Sequence, residues 1–274
     1  MRLRLAGLAL VAVAAAAIPV IPVPAAAAGT VNMEAVVLAA QLDPRKPNED
    51  PTQGAQASVL LVEQALQAKS LLEASYVDGH FGTKTVDAYA AWQRSLGYSG
   101  LDASGLPGRS SLLALGQGRF TVVNPLTPGA RVTFRGVTVN ERTRAMLTTA
   151  ETQLGRQFVL EQGSYNPGGD PTSAGTHDGG GVVDISVSGM SVTTQTAVVR
   201  KLRQVGFAAW RRTPSQGDWG YHIHAVAVSD TDMSPQAQHQ VGDYYLGLNG
   251  LANRGPDDGP QVTKVTWEDY QRTH

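Results

Sequence analysis

The sequence predicts an α+β fold in which a small all-α module precedes a domain built on an antiparallel sheet. Apolar residues recur at helical spacing across residues 57–117. Across residues 135–274, short segments rich in β-branched residues alternate with helical segments, which is typical of an α+β domain. A length of 274 residues accommodates two such domains. A net charge of −1 argues against a nucleic-acid partner, which usually needs a basic surface.

Residues 1–28 have the composition of an export signal. Arg2 and Arg4 precede an apolar run from Leu5 to Val20, and the alanines that end at Ala28 offer a small-residue cleavage site. The alternative is a retained membrane anchor, but prolines interrupt the run and it is short for a membrane span. We therefore expect cleavage after Ala28, a secreted chain and no stable membrane insertion. The sequence contains no cysteine, so the exported protein has no disulfides.

Residues 29–56 are predicted to form a linker or a mobile arm. The segment 43–51 is polar and rich in proline, a composition that buries little apolar surface. The preceding residues from Val31 to Leu42 are apolar enough for a short helix. Residues 118–134 also contain proline and glycine, and we expect them to connect the two domains.

Residues 57–117 contain two turns between predicted helices. Apolar residues from Val59 to Leu66 lie on one face of the first helix. The turn at 78–85, with the pattern Asp-Gly-X-Phe-Gly-X-X-Thr, leads into a helix that carries Trp92 and Gln93. This pattern resembles the three-helix peptidoglycan-binding domain, and the resemblance implies that peptidoglycan is a partner. We expect its aromatic residues to be core residues rather than ligand contacts. The alternative is a module that packs against the second domain without binding anything.

Capping residues set the boundaries of the elements predicted in residues 135–274. Asn140 can cap a helix that Gly155 ends, and Ser234-Pro235 is a typical helix start. Glycine and proline after residue 249 predict a loop-rich tail. The predicted helices span 141–154, 193–205 and 235–246, and the predicted strands span 157–162, 182–187, 207–211 and 221–228.

Histidine and aspartate residues in two short segments indicate a metal site. His177 lies seven residues before Asp184 of a predicted strand, and three glycines between them permit tight turns. His222 and His224 alternate on another strand, so both imidazoles lie on one face. Two imidazoles and one carboxylate leave a tetrahedral zinc with one open position, as catalytic sites require. The alternative is that these are ordinary polar residues, although three of the six histidines occur here.

The same residues carry a resemblance to a group of metallopeptidases. The pattern His-X-X-Gly-X-X-X-Asp, with Gly180 as its glycine, is followed by a strand-borne histidine. It resembles the zinc D-Ala-D-Ala carboxypeptidases, a group that includes lysostaphin-type endopeptidases and the hedgehog fold. The resemblance implies that His177, Asp184 and His224 bind Zn²⁺. It also implies that His222, the first histidine of the His-X-His pair, assists catalysis.

The chain departs from the family pattern at two positions. Many carboxypeptidases of the group place a general base three residues before the last histidine, where this chain has Tyr221. The family's Ser-Gly-Tyr-Arg strand has its nearest counterpart in Gly163-Ser-Tyr165-Asn166, which lacks the arginine fork that holds a substrate carboxylate. Asp218, in the loop before the His-X-His strand, is a further catalytic candidate as an acid/base partner or substrate contact. A solvated loop acid is the alternative.

These observations predict a secreted, cell-wall-associated zinc peptidase that hydrolyses peptidoglycan stem or cross-bridge peptides. In this interpretation the helical module concentrates the enzyme on its insoluble substrate. One alternative is a non-catalytic peptidoglycan-binding protein that keeps the peptidase fold. Another is a zinc hydrolase that acts on a different secreted peptide or amide. The chain has neither a P-loop nor a Gly-X-Ser-X-Gly elbow, which argues against nucleotide and serine-hydrolase chemistry.

Overall fold

The first strand and the first helix lie in the segment expected to be an arm. The structure is a computed structural model that describes residues 29–274, and the export signal predicted at 1–28 lies outside the described residues. Strand β1 spans Gly29–Asn32 and helix α1 spans Met33–Leu42. The Asn32 side chain caps the helix by accepting a hydrogen bond in its first turn.

The prediction of a linker or mobile arm at residues 29–56 is therefore wrong. Val36 and Val37 of α1 are fully buried, because the apolar run before the proline-rich turn is long enough to join a core. β1 pairs in parallel with strand β2, Phe120–Val123, which lies within the segment 118–134 expected to be a connector. Both segments thus belong to the folded structure.

Three helices cover residues 56–116, which are called the helical module. Helix α2 spans Gln56–Gln67, α3 spans Thr83–Ser95 and α4 spans Arg109–Gly116. The aromatic residues of the turn pattern are buried, as expected of core residues: Phe81, Tyr89 and Trp92.

Two buried carboxylates hold the Asp-Gly turn of this module. Asp43, which follows α1, accepts hydrogen bonds from the N–H and hydroxyl of Thr52 and from the N–H of Phe81. Glu63 of α2 accepts hydrogen bonds from the N–H groups of residues 78–79. The polar residues around this turn therefore satisfy buried backbone donors.

A four-stranded antiparallel sheet lies at the centre of the second half, in agreement with the sequence. A hairpin and a helix precede it, namely β3 (Arg131–Phe134), β4 (Val137–Asn140) and α5 (Glu141–Leu154). The remaining elements are β5 (Leu160–Gln162), β6 (Val182–Ser186), α6 (Val192–Gln204), β7 (Phe207–Arg212), β8 (His222–Ala227), α7 (Pro235–Tyr245) and α8 (Trp267–Thr273). The strand order in the sheet is β5-β6-β8-β7.

The two faces of this sheet belong to different hydrophobic cores. Val182 and Val226 point into the core that contains α1, α7 and the helical module. Their neighbours Val183 and Ala225 point to the opposite face and into a second core with α5 and α6. The helical module therefore shares its core with one face of the sheet, instead of having a core of its own.

The loop-rich tail expected after residue 249 ends in helix α8. Thr266 and Asp269 form a capping box at its start, since each side chain accepts a hydrogen bond from the other residue's N–H. Trp267 and Tyr270 of this helix are buried in the second core. Within residues 29–274, no helix combines the length and the apolar composition that crossing a membrane requires.

Candidate metal centre

Asp184 and His224 occupy paired positions at the centre of the sheet. Asp184 of β6 lies directly opposite His224 of β8, and His224 lies opposite Trp210 of β7. On the other side of Asp184, Gln162 of β5 is its partner. Directly paired residues project from the same face, so these side chains form a row on the face that is covered by α7. Backbone pairing thus brings together two residues that are 40 positions apart in the chain.

His177 reaches the same row from the loop that precedes β6. It is fully buried, and the loop around it packs closely against residues 230–234. A Cβ atom at Gly179 would meet the backbone of Asp232, and one at Gly180 would lie 2.6 Å from the Tyr165 hydroxyl. Glycine is therefore required between His177 and the strand for close packing.

The three residues predicted as metal ligands form one buried cluster. One ligand atom from each of His177, Asp184 and His224 lies within 4.8 Å of the others. Nε2 of His177 is 3.2 Å from Oδ2 of Asp184, and Nδ1 of His224 is 2.7 Å from Oδ1 of Asp184. The cluster could hold a metal ion, as the sequence predicts, although the geometry does not identify the metal.

The tautomer of His177 follows from its hydrogen bond to the backbone. Nδ1 lies 2.8 Å from the carbonyl oxygen of Gly163. A carbonyl can only accept, so Nδ1 carries the proton in the neutral imidazole. Nε2 then presents a lone pair to Asp184, and this buried nitrogen has no hydrogen-bond partner within residues 29–274.

A chain of two hydrogen bonds orients His224 in the same way. The Gln240 amide nitrogen donates to the carbonyl oxygen of Gly250 at 3.1 Å, which turns Oε1 of Gln240 towards His224. Oε1 lies 2.8 Å from Nε2 of His224 and can only accept. The Asp184 carboxylate, 2.7 Å from Nδ1, also can only accept, so the single proton of a neutral ring serves one of the two acceptors. A metal ion between Nδ1 and Asp184 would keep that proton on Nε2.

Burial and charge put the cluster in the protonation states of metal ligands. Burial lowers the pKa of His224, although the neighbouring Asp184 acts in the opposite direction. Burial alone raises the pKa of Asp184, but the neighbouring His224 and His177 outweigh it and hold the pKa well below its usual range. A neutral imidazole and an ionised carboxylate are the forms that bind a cation.

Two ring nitrogens and a carboxylate thus face one another in a buried space. All three are electron-pair donors in their metal-binding forms, so a shared cation would attract each of them. The outward nitrogens of His177 and His224 both donate to protein oxygens, which is the usual arrangement around metal-binding histidines. The chemistry of this donor set therefore fits a divalent metal ion.

His222 lies beside the cluster without belonging to it. Its Nε2 is 3.8 Å from Oδ1 of Asp184, and its Nδ1 lies 2.9 Å from the carbonyl oxygen of Gly220. The carbonyl fixes the proton on Nδ1, so Nε2 is the basic nitrogen that faces the cluster. The geometry therefore places His224 in the cluster and His222 beside it.

A cleft of about 990 Å³ lies above the cluster. Asp218 and Trp219 line it from the loop before β8, and Gln240 lines it from α7. Asp218 is exposed on the rim and makes no hydrogen bond or ion pair within residues 29–274, as expected of a solvated loop acid. Tyr221 is 59 % exposed, and it is not among the residues that line the cleft.

Sequence reasoning missed Gln240 and Arg212 as residues of this cleft. Gln240 lies on a helix predicted only as a helix, and no local pattern marks it. Arg212 is the last residue of β7 and pairs with His222. The only signal for either residue is the strand pairing and helix packing that the fold creates.

Comparison of the chain with family models, curated proteins and solved structures finds no match. The functional assignment therefore depends on the residues of the site.

Proposed function

We propose that the protein is an exported zinc-dependent peptidase that hydrolyses peptidoglycan stem or cross-bridge peptides. The observation that carries this proposal is the convergence of Nε2 of His177, Nδ1 of His224 and the Asp184 carboxylate at the floor of a cleft. Three protein ligands are typical of catalytic zinc, whereas structural zinc usually has four. The resemblance of the same residues to zinc D-Ala-D-Ala carboxypeptidases supports the substrate class.

In the proposed mechanism, His177, Asp184 and His224 would hold the metal. Zinc bound there would polarise the scissile carbonyl and lower the pKa of a bound water. The basic Nε2 of His222 faces this position and accepts a proton during hydrolysis, since Nδ1 is already committed to Gly220. The indole ring of Trp219 lies edge-on to His222, with ring centroids 6.3 Å apart, and limits the orientations of the imidazole.

The helical module is proposed to bind the cell wall. Its turn pattern resembles a peptidoglycan-binding domain, and its core is continuous with one face of the catalytic sheet. A shared core keeps the module at a fixed position relative to the cleft. A second attachment point raises the effective concentration of the enzyme on an insoluble substrate.

Metal analysis and digestion of purified peptidoglycan test the proposal. We expect the purified chain to bind about one zinc ion per molecule and to release peptides whose ends mass spectrometry identifies. His177→Ala should lose both properties, whereas His239→Ala should keep them, because His239 lines the same cleft outside the cluster. Equal zinc content and equal product release in the two variants would contradict the ligand assignment.

The non-catalytic alternative predicts a different outcome of the same experiment. The family's carboxylate three residues before the last histidine is replaced here by the exposed Tyr221, which favours this alternative. Zinc binding and co-sedimentation with walls, without release of peptides, would support it. Cleavage of ordinary peptides but not of walls would instead support a hydrolase with another secreted substrate.

A further inference from the structure

Three arginines line the cleft, and two of them are already paired. Arg45 and Arg254 both contact the Asp243 carboxylate, at 2.9 Å and 3.2 Å respectively. Each of them therefore has a carboxylate partner within the protein, which the two share. Arg212, the third, makes no ion pair within residues 29–274.

Arg212 is a buried cation with an unused hydrogen-bond donor. Its side chain is nearly inaccessible, with 3 % exposure, and its guanidinium carbon lies 4.9 Å from the centre of the Trp210 ring. Nη1 donates to the carbonyl oxygen of Asn249 at 2.7 Å. Nη2 is also buried but has no hydrogen-bond partner in the described part of the chain. An unpaired buried donor on a charged group is costly, so a partner from outside the chain is favoured.

Two of the three carboxylates around Arg212 are engaged elsewhere. Asp184 contacts His177 and His224 of the cluster and lies 3.8 Å from His222, and Asp257 pairs with Arg203 at 2.8 Å. Asp258 is exposed to solvent. Burial lowers the pKa of Arg212 to about 10, against the attraction of these acids, so the guanidinium stays charged at neutral pH.

Strand pairing places this charge beside the proposed catalytic group. Arg212 of β7 lies directly opposite His222 of β8, and both side chains project from the same face. Both residues also line the cleft above the cluster, so a group held by Arg212 lies in the same cleft as a bond placed over the metal cluster.

We propose that Arg212 binds a carboxylate of the substrate next to the scissile bond and thereby determines specificity. This inference rests on the proposed peptidase function. A guanidinium binds a carboxylate through two parallel hydrogen bonds, which an amide does not reproduce. Arg212 belongs to a different strand from the arginine of the family pattern, whose counterpart here is Asn166. The carboxylate is either the C-terminus of the peptide or an acidic side chain.

Equilibrium binding of matched peptides tests the inference without hydrolysis. The probes are a stem pentapeptide with a free C-terminal D-Ala carboxylate and the same peptide as its C-terminal amide. A second pair of amidated peptides differs only in a glutamate or a glutamine beside the scissile bond. The full chain is titrated calorimetrically in the presence of a chelator, so that the peptides stay intact.

We expect the acidic member of one pair to bind about 10- to 100-fold more tightly than its neutral partner. The pair that shows the difference identifies the source of the carboxylate. Arg212→Met should abolish the difference, and Arg212→Lys should retain only part of it because it keeps the charge and loses the fork. Arg254→Met is the matched control and should retain it in full.

Equal affinities within both pairs for the unmodified chain would overturn the inference. A preference that persists in folded Arg212→Met would do the same, and Arg212→Lys decides the question if the methionine variant does not fold. A preference without any peptide hydrolysis would support the inference while contradicting the proposed activity. Hydrolysis of the acidic and the neutral peptides with equal KM would support the proposed activity and contradict the inference.

Discussion

Two regions of the molecule bury carboxylates, and they satisfy them in opposite ways. In the helical module, Asp43 and Glu63 accept hydrogen bonds from backbone N–H groups. In the sheet, Asp184 faces ring nitrogens of His177 and His224. A carboxylate surrounded by backbone donors stabilises a turn, whereas a carboxylate surrounded by imidazole nitrogens is suited to a metal cation. The neighbours of a buried acid, and not its burial, therefore indicate its role.

The pKa values of Glu63 and Asp184 are shifted in opposite directions. Burial raises the pKa of Glu63 to about 7, although the N–H groups of the turn act against it. The pKa of Asp184 is also raised by burial, but the two histidines outweigh this effect and bring it below its usual range. Of Glu63 and Asp184, the acid in the sheet is therefore the one held as a carboxylate well into the acidic range.

Replacing the acid of the sheet should have the largest effect on function. Asp184→Asn keeps the shape of the side chain and removes the negative charge between His177 and His224. Removing a residue that hydrogen-bonds to a metal ligand typically lowers metal affinity about 10- to 100-fold. Removing a ligand itself should have a larger effect, so we expect metal affinity to fall by more than about 100-fold. Peptide release should fall to background. Metal analysis and wall digestion on the same preparation measure both effects. Full zinc occupancy in this variant would show that the acid is not a ligand.

His222 allows ligand and catalyst to be distinguished, because it lies beside the cluster and has its own basic nitrogen. His222→Ala should keep zinc and lose about 100- to 10,000-fold in turnover, the range typical of a proton-transfer group. His224→Ala should lose both zinc and turnover. Near-normal turnover in metal-bound His222→Ala would mean that the side chain only packs on the strand. Loss of zinc in this variant and retention in His224→Ala would reverse the two roles.

Replacing the acid of the turn should affect stability instead of chemistry. Asp43→Ala leaves the N–H groups of Thr52 and Phe81 buried without an acceptor. At about 1–3 kcal/mol for each unsatisfied donor, we expect the free energy of unfolding to fall by about 2–6 kcal/mol. Denaturant unfolding measures the change. Zinc content per folded molecule should be unchanged, and a selective loss of zinc would show that the two regions are coupled.

The sequence predicts most of the local structure and the three cluster residues. Asn140 caps α5 and Gly155 ends it in a left-handed conformation, as the sequence indicates. His177, Asp184 and His224 are recognisable because unusual residue types occur at short, fixed spacing. The docking of α1 was not predicted, because it depends on contacts with α7, some 200 residues away, which no local pattern records. Arg212 and Gln240 were missed for the same reason.

A substitution at Gln240 therefore tests a residue of the site that no sequence pattern marks. Its Oε1 accepts from Nε2 of His224, and Gly250 fixes the orientation of its amide. Gln240→Leu removes the acceptor, so His224 can adopt the other tautomer and turn its protonated nitrogen towards Asp184. Metal affinity should fall about 10-fold to 100-fold, as is typical when the outer partner of a metal-binding histidine is lost. Gln240→Glu keeps an acceptor and should restore most of the affinity.

Zinc titration with a competing chelator measures this difference. Gln236→Leu is the matched control, because Gln236 lies one turn earlier on the same helix and lines the same cleft without contacting His224. If both leucine variants bind zinc as the unmodified chain does, the tautomer of His224 does not depend on Gln240. If both variants lose zinc affinity equally, the loss is a general effect of a leucine on this face of α7 and not of the contact with His224. Only a loss confined to position 240, with recovery in Gln240→Glu, means that an acceptor on α7 prepares His224 to bind the metal.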